Sequence, residues 1–246
     1  MAWRSSLTPR LSGPRMVRST SSVLVFGDSN TWGYDPASVI RDGRGLRRLP
    51  LERRWTTLLQ RRLGEDFRVV EEGLNGRTTL LRDPSSPADG AYSCDGRGDL
   101  VTALHSHQPL SAVVLALGTN DLKARFHLSP ADVAYNLRIL VQEVRRGPRS
   151  EDEARPPAVL LLGLPALRPT ALSAKWGLGE GSAERARRTN ALVRAMALET
   201  GAGFLDVSGK VNPSPVDGVH YPEEAQPALA AAVLAALTGL LARPPL

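Results

Sequence analysis

At 246 residues, 42% hydrophobic and 23% charged, the chain has the composition of a soluble globular protein and enough length to bury a sizeable core. A single cysteine, Cys94, excludes an intrachain disulfide and a cysteine-based zinc site, and fits a reducing, cytoplasmic compartment. The net charge of +6 raises nucleic acid or anionic lipid as partners. Against them stand the lack of a nucleic-acid module, basic residues without interleaved aromatics, and no apolar stretch judged long enough to cross a bilayer.

Residues 1–22 carry Arg4, Arg10, Arg15 and Arg18 and no acid, without the apolar run of a secretory signal, and read as a disordered basic extension. Residues 23–246 read as one domain. Val23-Leu-Val-Phe26 is a buried strand stopped by Gly27, which leaves Asp28 and Ser29 at its C-terminal lip. A Pro/Gly/Arg-rich loop covers residues 35–50. Residues 51–63 show helical spacing (Leu51, Trp55, Leu58, Leu59, Leu63) capped by Gly64, with the paired arginines between Arg41 and Arg62 forming a solvated face. A second strand spans residues 67–71, followed by the loop Leu74-Asn-Gly-Arg-Thr-Thr79 and an irregular stretch over residues 82–98.

A helix runs to about His107. The most continuously apolar strand, residues 111–117, stops at Gly118-Thr-Asn-Asp121. Ser129 and Pro130 start a helix to Arg146, and a charged linker leads to a fourth strand at residues 158–162. The long loop 163–181 is followed by a helix over residues 183–200 and a short fifth strand at 203–207. Asp217-Gly-Val-His220 sits in a Pro/Gly-rich loop before a closing helix over residues 223–241. Five strands alternating with helices predict an α/β protein: a three-layer α/β/α sandwich around a five-stranded parallel, flavodoxin-like sheet of order 2-1-3-4-5. That topology gathers Ser29, the Gly76 loop, residues 118–121 and the 217–220 loop at one edge.

Acyl transfer needs a nucleophile, a base, a group orienting the base, and donors facing the oxyanion. Of four histidines, His105 and His107 lie near a helix end and His127 in a loop. His220 alone follows an acid at three-residue spacing, so Asp217 could orient it toward Ser29. The alternative is a loop histidine with Asp217 as turn former. Asn120 is the best side-chain oxyanion donor, or else a helix cap; Gly76 offers a backbone N–H, or is only a turn glycine.

These blocks resemble the SGNH hydrolase superfamily, also called the GDSL esterases. Gly27-Asp-Ser-Asn-Thr31 matches the first block, with Asn30 where the name-giving leucine often stands. Gly76 matches the second, Gly118-Thr-Asn-Asp121 the third and Asp217-Gly-Val-His220 the last. The likeness is strongest to the bacterial arylesterase and acyltransferase branch, through Thr31-Trp-Gly-Tyr34, Glu71-Glu-Gly-Leu74 and the run from Gly118 through Lys123 and Ala124. The resemblance implies Ser29 as nucleophile, His220 as base and acid, Asp217 as its partner, and an oxyanion hole from the Ser29 and Gly76 N–H groups and the Asn120 amide. It implies no metal or organic cofactor, and a small-molecule ester as substrate. Asn30, Trp32, Tyr34 and Lys123 are candidate substrate-binding residues, and oligomers of that branch leave room for self-association. The leading expectation is a serine esterase for small or aryl esters, with acyl transfer to alcohols as a further outcome. The alternatives are a carbohydrate O-acetyl esterase and, from another class, a non-catalytic flavodoxin-like binding module.

Overall fold

The computed structural model describes residues 21–39, 47–84, 92–147 and 156–242. Five parallel strands, β1 (Ser21–Gly27), β2 (Phe67–Gly73), β3 (Leu110–Ala116), β4 (Ala158–Leu162) and β5 (Gly203–Leu205), form one sheet of order β2-β1-β3-β4-β5. This is the predicted topology. The central strands are apolar on both faces because helices cover both. On one side, Leu24, Phe26, Val113 and Leu115 meet Leu100 and Leu104 of α3 (Gly96–Ser106), Leu137 and Val141 of α4 (Pro130–Arg146), and Val193 and Met196 of α6 (Ser182–Thr200). On the other, Val23, Val25, Val114 and Leu160 meet Trp55 and Leu59 of α2 (Trp55–Leu63) and Leu229, Val233 and Leu237 of α7 (Gln226–Leu241).

Element ends depart from the sequence reading where local chemistry intervenes. β1 starts at Ser21, inside the segment assigned to the basic extension; the rest of that segment lies outside the described residues, as do Arg41, part of the 35–50 loop and most of the 147–157 linker. The predicted helix over 51–63 divides into a 3-10 turn, Leu51–Arg53, and α2, because Arg54 between them is extended. The arginines between Arg41 and Arg62 are not uniformly solvated: Arg48 and Arg54 both bind Glu71 on β2. The 163–181 loop contains a short helix, α5 (Ala171–Lys175), closed at its start by a Thr170–Ser173 capping box. The segment Glu223–Leu241 is long and apolar enough, by length and composition, to cross a membrane, contrary to the sequence expectation. Within the fold, its stripe of Leu229, Ala230, Val233 and Leu237 is buried against the sheet.

The C-terminal ends of β1, β2 and β3 finish level, Gly27 opposite both Gly73 and Ala116. A Cβ at Gly73 would lie 2.2 Å from the Trp32 nitrogen, so only glycine lets the chain after β1 cross the end of β2. The edge on which the site stands is therefore set by backbone packing.

Candidate active site

Immediately after β1 the chain turns into a single helical turn, α1 (Ser29–Trp32). Asp28 caps it, its carboxylate accepting the Asn30 N–H at 2.9 Å, and Gly33 ends it at φ +86°. Ser29 is thereby fixed as the first helical residue, at the sheet lip. Burial pushes the Asp28 carboxyl above its ordinary range, against the pull of the Asn30 N–H and the His220 and Arg77 charges.

The late loop brings its acid and imidazole to this serine across 191 positions of sequence. Ser29 Oγ and His220 Nε2 are 2.8 Å apart, and His220 Nδ1 is 2.8 Å from Asp217 Oδ2. Asp217 Oδ1 accepts the Val219 and His220 N–H groups at 2.9 Å each, which fixes both the carboxylate and the loop. Burial would raise the Asp217 pKa, but the bond and charge of His220 and these two N–H groups hold it below the ordinary value. A buried anion on Nδ1 keeps the proton on that nitrogen and leaves Nε2 to face the hydroxyl. Gly218 makes the loop possible: its φ is +68°, and a Cβ there would sit 1.7 Å from the Arg168 carbonyl oxygen.

The loop after β2 is tied to β1 by the Leu74 N–H on the Gly27 carbonyl, 3.2 Å. Gly76 takes a left-handed φ of +77°. Asn120 Nδ2 donates to the Arg77 carbonyl at 3.0 Å, which orients the amide at the end of β3. Arg77 itself is buried, with its guanidinium on the Gly27 carbonyl at 3.0 Å, on Asp99 at 3.1 Å, and 4.1 Å above the Phe26 ring. It locks β1 to the loop after β2. The structure thus brings Ser29, Asp217, His220, Gly76 and Asn120 to one edge.

The four pocket candidates part company. Tyr34 stacks on the His220 ring, centroids 4.1 Å apart, and Trp176 of the 163–181 loop meets both rings edge-on, at 5.7 Å from His220 and 6.3 Å from Tyr34. Trp32 is half-buried under the Arg48 guanidinium at 5.1 Å. Lys123 does not offer its ammonium to a substrate: it is buried on Asp83 at 2.9 Å. Asn30 is likewise occupied, both ends of its amide bonding the chain on either side of His220.

Sequence reasoning missed Asp83. Lys123 and Arg125 both end on this carboxylate, and together they hold its pKa down although its burial works the other way. Arg125 also reaches the Trp176 carbonyl at 3.3 Å, and the Ala124 N–H binds the Gly177 carbonyl at 2.9 Å, so this buried cluster fixes the aromatic wall. The available signal was the pair of cations, Lys123 and Arg125, directly after the Gly118–Asp121 block. His107 pairs with Glu72, and His127 takes a left-handed turn conformation at φ 53°.

The match to a family model, the GDSL-like lipase/acylhydrolase family, covers residues 25–228. Among solved structures, a carbohydrate acetylesterase family member from Sinorhizobium meliloti is 34% identical with a TM-score of 0.81, covering 91% of this chain and 100% of its own. Est24, a carbohydrate acetylesterase from the same organism, is 33% identical with a TM-score of 0.79 over 89% of this chain and 99% of its own. The aryl esterase of M. smegmatis has the same identity, TM-score and coverage. A search of curated protein sequences gives no significant match. On the strength of a family match over residues 25–228 and of relatives a third identical along nearly their whole lengths, the chain belongs to the GDSL-like lipase/acylhydrolase family.

Proposed function

We propose that the protein hydrolyses small, uncharged carboxylic esters through an acyl-Ser29 intermediate. The observation that carries this reading is the unbroken relay from Ser29 Oγ through His220 to Asp217, each step 2.8 Å. Ser29 Oγ attacks the ester carbonyl as its proton passes to His220 Nε2. The oxyanion faces the Ser29 and Gly76 N–H groups and the Asn120 amide. Collapse breaks the ester C–O bond, and the departing alkoxide takes the proton from His220. Water, or a second alcohol, then repeats the sequence on the acyl-serine and regenerates Ser29.

The preference for uncharged substrates follows from the cations on the oxyanion loops. Arg77 is taken up by Asp99 and backbone carbonyls, and Lys123 and Arg125 by Asp83. The wall beside His220 is instead aromatic, Tyr34 and Trp176, a surface suited to an aryl ring or the apolar face of a sugar. An O-acetylated carbohydrate is the second reading, supported by the likeness to carbohydrate acetylesterases of S. meliloti. Labelling by a fluorophosphonate probe in the wild type and not in Ser29→Ala is the expected result. Equal labelling of the two removes Ser29 from the nucleophile's role. Turnover of p-nitrophenyl acetate above that of an acetylated sugar is expected, and the reverse order favours the second reading.

A further inference from the structure

The nucleophile turn and the acid–base loop lie 191 residues apart in sequence, and their alignment has to be held to a fraction of an ångström for proton transfer. The position after the nucleophile supplies that hold. Asn30 Oδ1 accepts the Tyr221 N–H at 2.9 Å, and Asn30 Nδ2 donates to the Val219 carbonyl at 3.3 Å. One side-chain amide thus pairs with the backbone on both sides of His220, as a neighbouring strand would. Because one end meets an N–H and the other a carbonyl, the amide has a single orientation that satisfies both.

Asn30 is itself held rigidly. Its N–H is bound by Asp28, and its carbonyl accepts the Trp55 indole N–H at 3.2 Å. From Trp55 the bonding returns to the same loop: the Trp55 N–H donates to Gln226 Oε1 at 3.0 Å, and Gln226 Nε2 donates to the Tyr221 carbonyl at 2.9 Å. Asn30, Tyr221, Gln226 and Trp55 therefore close a hydrogen-bonded circuit, with Trp55 and Gln226 about 1% exposed. Among the described residues, the hydrogen bonds that join residues 214–221 directly to residues 28–33 are the Ser29–His220 contact and the two from Asn30. Leucine at this position, the residue that names the family, could make neither.

We infer that Asn30 is a positioning residue, not a substrate contact: it sets the Ser29–His220 distance by clamping the backbone flanking the imidazole, with Gln226 as its buried counterpart. The inference rests on the esterase reading above. The test compares wild type, Asn30→Leu, Asn30→Asp, Gln226→Met and Ser29→Ala for p-nitrophenyl acetate kinetics across pH, fluorophosphonate inactivation rate and thermal melting. Asn30→Leu keeps the volume and loses both bonds. Its kcat is expected to fall about tenfold to a hundredfold, the scale of a small misplacement. The inactivation rate should fall in parallel, with KM changed less than about twofold. Asn30→Asp keeps the Tyr221 bond but brings a carboxylate toward His220, so the acid limb of kcat/KM should move to higher pH. Gln226→Met should lower kcat in the same direction by a smaller factor.

Wild-type kcat and inactivation rate in Asn30→Leu, with Ser29→Ala inactive, overturn this inference alone. A rise in KM with kcat unchanged does the same, since it makes Asn30 a substrate contact. Retained turnover in Ser29→Ala overturns the esterase reading itself. If Asn30→Leu does not fold, the kcat and inactivation rate of Asn30→Asp, which gives up the Val219 bond, and of Gln226→Met decide, and wild-type values in both count against the clamp.

Discussion

Tyr34 lies against the imidazole of His220, ring centroids 4.1 Å apart and planes inclined by 30°. Burial, reinforced by the Asp217 charge, pushes the phenol up to about 12, so Tyr34 stays neutral and acts through its ring. Tyr34→Phe is therefore expected to keep kcat/KM within about twofold of wild type. Tyr34→Ala removes an aromatic contact worth about 1 kcal/mol and should lower kcat/KM roughly fivefold. Steady-state turnover of p-nitrophenyl acetate checks the pair, and a large loss in Tyr34→Phe would assign the role to the hydroxyl instead.

Asp217→Asn separates orientation from charge. The amide oxygen can still accept the Val219 and His220 N–H groups, so the loop should keep its shape. An NH₂ group facing Nδ1 would force the ring's proton onto Nε2, the nitrogen that has to receive the Ser29 proton. A fall in kcat on the order of 10⁴ is expected, with little change in melting temperature. Near-normal kcat in a folded Asp217→Asn would remove the acid from the relay.

The sheet and the meeting of Ser29, His220 and Asp217 were legible because both are written in strong local signals. Apolar runs ending at Gly27, Gly73 and Gly118 mark strand ends, and their alternation with helices allows few topologies. The order 2-1-3-4-5 then brings Ser29, Asn120 and the His220 loop to one edge. What pattern alone did not yield were pairings between distant loops. Nothing adjacent to Asp83 marks it as the anion for Lys123 and Arg125, 40 and 42 residues later. Trp176 falls in the long 163–181 loop, but its contact with His220 depends on how Arg125 and Ala124 hold that loop. Asn30 sits inside the recognisable block, yet its two bonds reach the far end of the chain.

Two buried acids should give stability opposite dependences on pH. Asp83 sits below its ordinary value, so its ion pairs contribute fully above about pH 4 and are lost as pH falls through the lower folded value. Asp83→Asn leaves Lys123 buried opposite a neutral group and should cost about 3–5 kcal/mol at neutral pH. Burial raises Asp121 to about 6 although it accepts the Thr79 N–H and hydroxyl. Between about pH 4 and 6 the folded chain therefore retains a proton that the unfolded chain releases, and stability from this site declines as pH rises. Urea midpoints across pH 4 to 7 should lose that decline in Asp121→Asn. Parallel curves for variant and wild type would show that Asp121 ionises normally.

Gly218→Ala tests whether the backbone of the acid–base loop limits the chemistry. The residue sits at φ +68°, where a Cβ costs about 1–2 kcal/mol. Sterics add more, since that Cβ would stand 1.7 Å from the Arg168 carbonyl oxygen, a backbone atom with no flexible end to yield. The same carbonyl-rich crossing carries the Arg168 N–H to Gly218 O bond at 2.9 Å, so the two loops have to separate together. Their separation draws Asp217 and His220 away from Ser29 while the sheet, whose core lies elsewhere, stays packed. The expected variant melts a few degrees lower with a cooperative transition, and reacts with a fluorophosphonate at least about tenfold more slowly. A variant that melts lower but labels at the wild-type rate would mean that the loop can shift without moving the imidazole, and that the Asn30 and Ser29 contacts hold His220 by themselves.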